Sequence, residues 1–281
     1  MPLDGSPATA TVRYVAAFLP FVITMLGAVL AGMTLLWLVS LLLRDSSIVD
    51  VAWGAGFAGI ALLGLSRVGM ASNRSVLLTA LVVLWGLRLT AYLGWRNLGK
   101  GEDYRYQAMR ERHGNRWWSV SLGQVFLLQG AVMWLVSLPV QLAQAAPDAA
   151  TTALGVLDWL GVAVFTVGFL FEAVGDWQLA RFKADPANAG QVMDRGLWRY
   201  TRHPNYFGDC CVWWGIWLVA ASTGAGRVGI VGPIVMTFLL LRVSGVAMLE
   251  RTITERRPGY ADYIARTSAF VPWFPRTSET E

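Results

Sequence analysis

The stretch YVAAFLPFVITMLGAVLAGMTLLWLVSLLL, Tyr14–Leu43, runs for 30 residues without a charged side chain. A helix needs about 20 mainly apolar residues to cross the hydrocarbon core of a bilayer, so this stretch predicts a transmembrane helix. It is too long for the apolar region of a secretory signal and leads straight into more apolar sequence, which marks it as a retained first span. The same test applied outward predicts six more spans, at about 48–65, 74–98, 120–144, 153–180, 206–222 and 228–250. The expected fold is all-α: one polytopic domain over residues 1–281 with seven transmembrane helices. Composition agrees, with 55% hydrophobic and 15% charged residues and a mean hydropathy of +0.48, against about a quarter charged in soluble domains.

Charge placement sets the expected orientation, because cytoplasmic loops collect Lys and Arg. Seven spans put seventeen of the 23 basic residues on one side, in Arg44, the 96–116 loop, the 181–202 loop and the tail from Arg251 to Arg276. The opposite side carries only Arg13, Arg67, Arg74 and Arg227. The N-terminus is therefore expected outside and the C-terminus in the cytoplasm. Part of this positive charge can serve topology or anionic headgroups of the surrounding membrane lipids. Nucleic acid is not an expected partner, since no soluble domain carries a groove-reading element. The long connections, 95–119, 181–205 and 251–281, all fall on the cytoplasmic side, where a soluble cofactor enters.

Ionisable groups inside spans are costly and mark candidate function. Asp50 heads the second span, Glu172 and Asp176 share one face of the fifth, and Arg242 and Glu250 stand two turns apart in the seventh. The densest polar segment is Arg195–Gly208, RGLWRYTRHPNYFG. Arg195, Arg199 and Arg202 offer guanidinium forks suited to phosphate oxygens, His203 and Asn205 add neutral donors, and Tyr200 and Tyr206 offer flat faces for a base. Pro204 is expected to open the sixth helix. With two histidines and two adjacent cysteines, Cys210 and Cys211, neither a metal site nor a disulfide framework is expected. The glycines form no phosphate-binding loop; Gly54, Gly56, Gly59 and Gly64 are read as helix-packing positions.

The order Asp176, Arg181, Lys183, the segment Arg195–Gly208 and a seventh span with Arg242 resembles the steroid 5α-reductase superfamily, in its bacterial branch. Asp50-x-x-Trp53-Gly54 and Arg88-Leu-Thr-Ala-Tyr92 are similar as well, so the resemblance runs from about Asp50 to Pro275, with its signature-rich part at about 150–275. It implies a seven-helix enzyme of the bacterial inner membrane that binds NADPH from the cytoplasm and reduces a carbon-carbon double bond conjugated to a ketone. The hydrophobic small-molecule substrate would enter from the bilayer. By motif position, cofactor contacts fall on Asp176, Lys183, Arg199, Tyr200, Asn205 and Arg242, with Arg195, Arg202, His203, Tyr206 and Glu250 nearby. Where steroid reductases carry Gln-Glu in the second helix and Tyr in the third, this chain has Val49-Asp50 and Trp85. Asp50 and Tyr92 are the expected donor pair, with Tyr104 as a further phenol. The Arg-His-Pro-x-Tyr-x-Gly signature and the tail also resemble isoprenylcysteine carboxyl methyltransferases, which use S-adenosylmethionine. A third reading is a lipid- or sterol-binding protein without chemistry.

Overall fold

The computed structural model describes residues 7–68, 72–97, 99–146, 153–243 and 259–276, with side chains from Phe18 onward. The described residues contain helices and turns and no strand. Helices α1 (Pro7–Leu43), α2 (Ile48–Arg67) and α3 (Asn73–Asn97) follow in sequence. Next come α4 (Tyr104–His113), α5 (Trp117–Ser121), α6 (Leu128–Val136) and α7 (Leu138–Ala145). The second half holds α8 (Val156–Ala184), α9 (Pro204–Ala220), α10 (Gly224–Val228), α11 (Val231–Phe238) and a C-terminal helix, Tyr260–Arg266.

Six stretches among the described residues are long and apolar enough to cross a membrane: Phe18–Leu43, Ile48–Arg67, Asn73–Asn97, Tyr104–Val136, Val156–Ala184 and Gly224–Val243. Helix α9 occupies the place of the expected sixth span and has 17 residues, about 26 Å at 1.5 Å per residue. Large apolar side chains such as Leu42, Leu62 and Leu170 point outward, as lipid-facing positions do.

One expected span differs in its course. The predicted continuous helix over 120–144 breaks at Ser137, because Pro139 has no N–H and sits in the first turn of the next helix. Gln141 repairs the break: its side-chain amide donates to the Trp134 carbonyl at 3.0 Å and to Ser137 Oγ at 2.7 Å. Before the break, the chain passes through a π-helical turn, Leu122–Leu127.

Two compact units emerge, Met1–Asp158 with Val219–Gly232, and Trp159–Leu218 with Pro233–Glu281. In the first, α2 and α3 approach backbone to backbone; a Cβ on Gly54 would lie 2.2 Å from the Gly86 carbonyl oxygen. Gly56 makes room for Met133 and Gly64 for Gln144, whereas Gly59 has open space around it. Gln144 donates to the Ala61 carbonyl and to Thr79 Oγ1. Arg74 and Asp158 form a buried two-pronged ion pair at 2.8 and 3.0 Å, and the arginine also reaches the Ala153 carbonyl. A buried pair so satisfied costs about 3–5 kcal/mol when one partner is removed.

In the second unit, α8 and α9 run antiparallel along glycines spaced by seven. Gly161 and Gly168 on α8 meet Gly215 and Gly208 on α9, with a Cβ on Gly168 falling 2.5 Å from the Gly208 carbonyl oxygen. Small residues at heptad spacing keep one seam of each helix facing its partner. The seam ends where Gly175 packs on Pro204 and the Asn205 backbone. Pro204 opens α9, as expected. Cys210 is buried on this helix and shares Thr237 Oγ1 with Trp214, while Cys211 is half-buried; neither is in a disulfide.

Candidate functional site

Each unit holds one polar constellation. In the first, the α1–α2 turn is clamped to the segment before and within α4. Arg44 takes a left-handed backbone (φ 54°), and the Arg44 carbonyl accepts from Arg110 at 3.4 Å. Arg110 grips Glu102 with both prongs, at 3.0 and 2.8 Å, and Glu102 also accepts from the Ser46 N–H. Partial burial pushes the Glu102 carboxyl up, but the Arg110 and Ser46 hydrogen bonds prevail and hold it below the ordinary carboxylate range. Asp103 caps α4 through the Arg105 N–H and pairs with the Arg105 side chain.

Asp50 is held from the same segment. Arg105 pairs with one carboxylate oxygen at 2.7 Å, and the Tyr106 hydroxyl donates to the other at 2.7 Å. Gln129, on α6, donates to that same hydroxyl at 3.3 Å. Tyr106 is buried, whereas Tyr104 is exposed. One turn along α6 from Gln129, Met133 lines an apolar cavity of about 360 Å³ that also involves Met25, Met33, Gly56 and Gly59. The guanidinium groups of Arg88 and Arg96 stand 5.4 and 5.8 Å from the centre of the Tyr92 ring. Trp85 is fully buried, edge-on to Phe57, which makes it a packing residue.

In the second unit, an open cleft of about 740 Å³ is lined by Arg195, Arg199, Arg266 and Arg276, together with Asp194 and Phe274. Its walls come from two chain segments laced together. The Tyr263 hydroxyl donates to the Trp198 carbonyl. The Arg202 N–H donates to the Ser268 carbonyl at 2.9 Å, Trp273 N–H to the Tyr200 carbonyl at 2.9 Å, and Thr201 Oγ1 to the Phe270 carbonyl at 2.8 Å. Burial raises the Tyr263 phenol, so it stays a neutral donor. Beneath this lacing, Phe182, Met193 and Trp198 form a small core. Gly196 has φ +60° and lies against Gln178, where a side chain would collide; Gln178 in turn accepts the Leu197 N–H. A smaller cleft of about 330 Å³, containing Arg181 and Asp185, shares Arg195 and Gly196 with the larger one.

The expected cofactor residues therefore separate by role. Arg195 and Arg199 line the basic cleft, and Tyr200 meets the ring of Phe274 edge-on at 6.1 Å. Arg202 is buried and donates to the Ile264 and Thr267 carbonyls at 3.0 and 2.7 Å, tying the tail down. Asp176 is buried and accepts from the Asn205 amide at 3.1 Å; His203 and Tyr206 stack with their rings 5.6 Å apart and nearly parallel. Lys183 and Arg242 are exposed, and Glu250 lies outside the described residues. Arg266, Arg276 and Phe274 were not singled out from sequence, although the tail's Arg content was a signal. Among the described residues no group of three His, Cys, Asp or Glu is placed to hold a metal ion.

Residues 36–267 match the family described as a protein of unknown function, DUF1295. The chain belongs to the DUF1295 family. A relative in Schizosaccharomyces pombe, uncharacterized protein C594.04c, is 27% identical over 286 residues, covering 90% of this chain and 80% of its own length. No solved structure matches. In this DUF1295 protein the family match takes in Asp50, Tyr106, the Arg195–Gly208 segment and Arg266, and ends before Phe274 and Arg276.

Proposed function

We propose that this DUF1295 protein is an integral membrane reductase that uses NADPH to saturate a carbon-carbon double bond conjugated to a ketone in a hydrophobic substrate taken from the bilayer. The reading includes seven spans, with α9 as the sixth, an external N-terminus and a cytoplasmic C-terminus in a bacterial inner membrane. The observation that carries it is the four-arginine cleft. One carboxylate, Asp194, stands among four guanidinium groups, which leaves a net positive charge suited to a dinucleotide bearing a pyrophosphate and a further phosphate. S-adenosylmethionine has no phosphate for such a cleft, which disfavours a methyltransferase.

Bound NADPH supplies a hydride to the β carbon. The chain supplies binding, through Arg195 and Arg199 on phosphate and through Asn205 and Asp176 as a paired donor and acceptor. It also supplies a hydrogen-bond donor for the ketone oxygen, where negative charge develops; one such donor is worth about a hundred- to a thousandfold in turnover. The expected pair was Asp50 and Tyr92. Both Asp50 oxygens already accept, from Arg105 and from Tyr106, and the single Tyr106 O–H is spent on that bond, so we assign the donor to Tyr92, with Tyr106 holding Asp50 in place. Tyr92→Phe is expected to abolish most turnover with nucleotide binding intact; full turnover in that variant would remove Tyr92 from the role.

The decisive test is thermal stabilisation of the purified protein. Saturating NADPH is expected to stabilise it, by about 2.7 kcal/mol at a hundredfold excess over the dissociation constant, and S-adenosylmethionine to leave it unchanged. Stabilisation by S-adenosylmethionine alone would make it a methyltransferase, and by neither would leave a lipid-binding protein.

A further inference from the structure

The basic cleft has more cationic capacity than one diphosphate needs, and its arginines arrive in two pairs. Arg195 and Arg199 belong to the segment that leads into α9. Arg266 ends the C-terminal helix, and Arg276 lies ten residues on, with its N–H bonded to the Arg266 carbonyl at 2.9 Å. That bond closes residues 266–276 into a strap, and Arg202, Thr201 and Tyr200 pin the strap along its length. Phe274, 77% exposed, stands on the strap, lines the cleft and meets Tyr200, offering an apolar ring that a purine can cover. Asp194 is held by Arg266 at 2.5 Å. A free carboxylate accepts from ribose hydroxyls, whereas an arginine grips phosphate oxygens; here the carboxylate is already engaged by the arginine.

We propose that Arg266 and Arg276, carried by the C-terminal strap, form the subsite for the adenosine 2′-phosphate and so set the preference for NADPH over NADH. This rests on the reductase reading and adds to it a specificity determinant in the tail, most of which lies beyond the family match. Arg195 and Arg199 are left for the pyrophosphate, which both dinucleotides share.

The test measures binding of NADPH, NADH and the half-cofactors 2′,5′-ADP and 5′-AMP to the full chain in phosphatidylcholine nanodiscs. The wild type is expected to prefer the 2′-phosphorylated member of each pair by at least tenfold. Arg276→Ala should lose about tenfold to a hundredfold in affinity for NADPH and 2′,5′-ADP while NADH affinity stays within about twofold. Arg266→Ala should behave alike, and because Arg276 is exposed, its variant keeps the test clear of folding defects. Retained preference in both variants, or equal losses for NADPH and NADH, overturns the proposal. A wild type that binds both dinucleotides without preference overturns it and leaves the reductase reading standing; one that binds neither overturns both. The chemistry of a phosphate monoester also occurs in lipid headgroups. If phosphatidic acid nanodiscs abolish the 2′-phosphate preference in the wild type, the cleft belongs to the headgroup and the proposal falls.

Discussion

Glu102 shows how one side chain sets the geometry of a site it does not enter. It joins the α1–α2 turn, through Ser46, to α4, through Arg110, and α4 carries the two residues that hold Asp50. Its carboxyl is held below the ordinary value of 4.5. A depressed folded-state value means that the stabilisation is complete above the unfolded value and is lost as pH falls through the folded one. Glu102→Gln is therefore expected to be less stable than wild type at about pH 7, by about 1–2 kcal/mol, a range kept small because Arg110 is partly exposed. The difference should shrink as pH falls below 4.5 and through the lower folded-state value, as read by parallel thermal melts. A gap that persists unchanged at acid pH would remove the ion pair from the account.

Among the elements, the α8–α9 seam is the one most directly tied to the proposed cofactor site. Its glycines set the height at which Gly175 meets Pro204, and so the approach of Asp176 to Asn205. Gly208→Ala pushes a methyl group into the Glu172 backbone at 2.4 Å. It is expected to cost about 1–3 kcal/mol and to weaken nucleotide affinity along with stability. Gly59→Ala, in open space, should be neutral within about 0.5 kcal/mol. Chemical unfolding in detergent with nucleotide titration compares the two. Gly54, Gly56, Gly59 and Gly64 look alike in the sequence, and three of them do make room for a neighbour. Period alone could not separate Gly59, because what fills the space beside a glycine depends on the facing helix. The element positions were readable from apolar runs and from Pro204. The Ser137 break is hidden because its signal, Pro139 with a compensating Gln141, sits inside a run that carries no charged residue.

For the whole molecule, the orientation rests on one-sided basic charge. A fluorescent protein fused at the C-terminus should fold and fluoresce in bacteria, while a periplasmic reporter placed after Arg67 should be active; the reverse pattern would invert the topology and move the basic cleft to the external side. The site was half legible in the same way. Arg195 and Arg199 announced themselves by clustering in one segment, whereas Arg266 and Arg276 join them only through hydrogen bonds and an ion pair between stretches 65 to 72 residues apart. Arg202 had the same composition signal and a different fate, since its guanidinium is consumed by tail carbonyls. Tyr106 gave no separate signal beside Tyr104, because only helical phase, two positions on, decides which of the two faces Asp50.

The two cysteines share one apolar helix, α9, and Cys210 is already engaged by Thr237. Thiol reagents act on the thiolate, at accessible positions. The natural chain should thus be nearly silent toward maleimides, and a cysteine placed on the tail near Arg276 or on α4 near Gln107 would dominate the labelling. Spin or fluorescence probes can then follow the strap and the Asp50 cluster separately, in an otherwise unaltered protein.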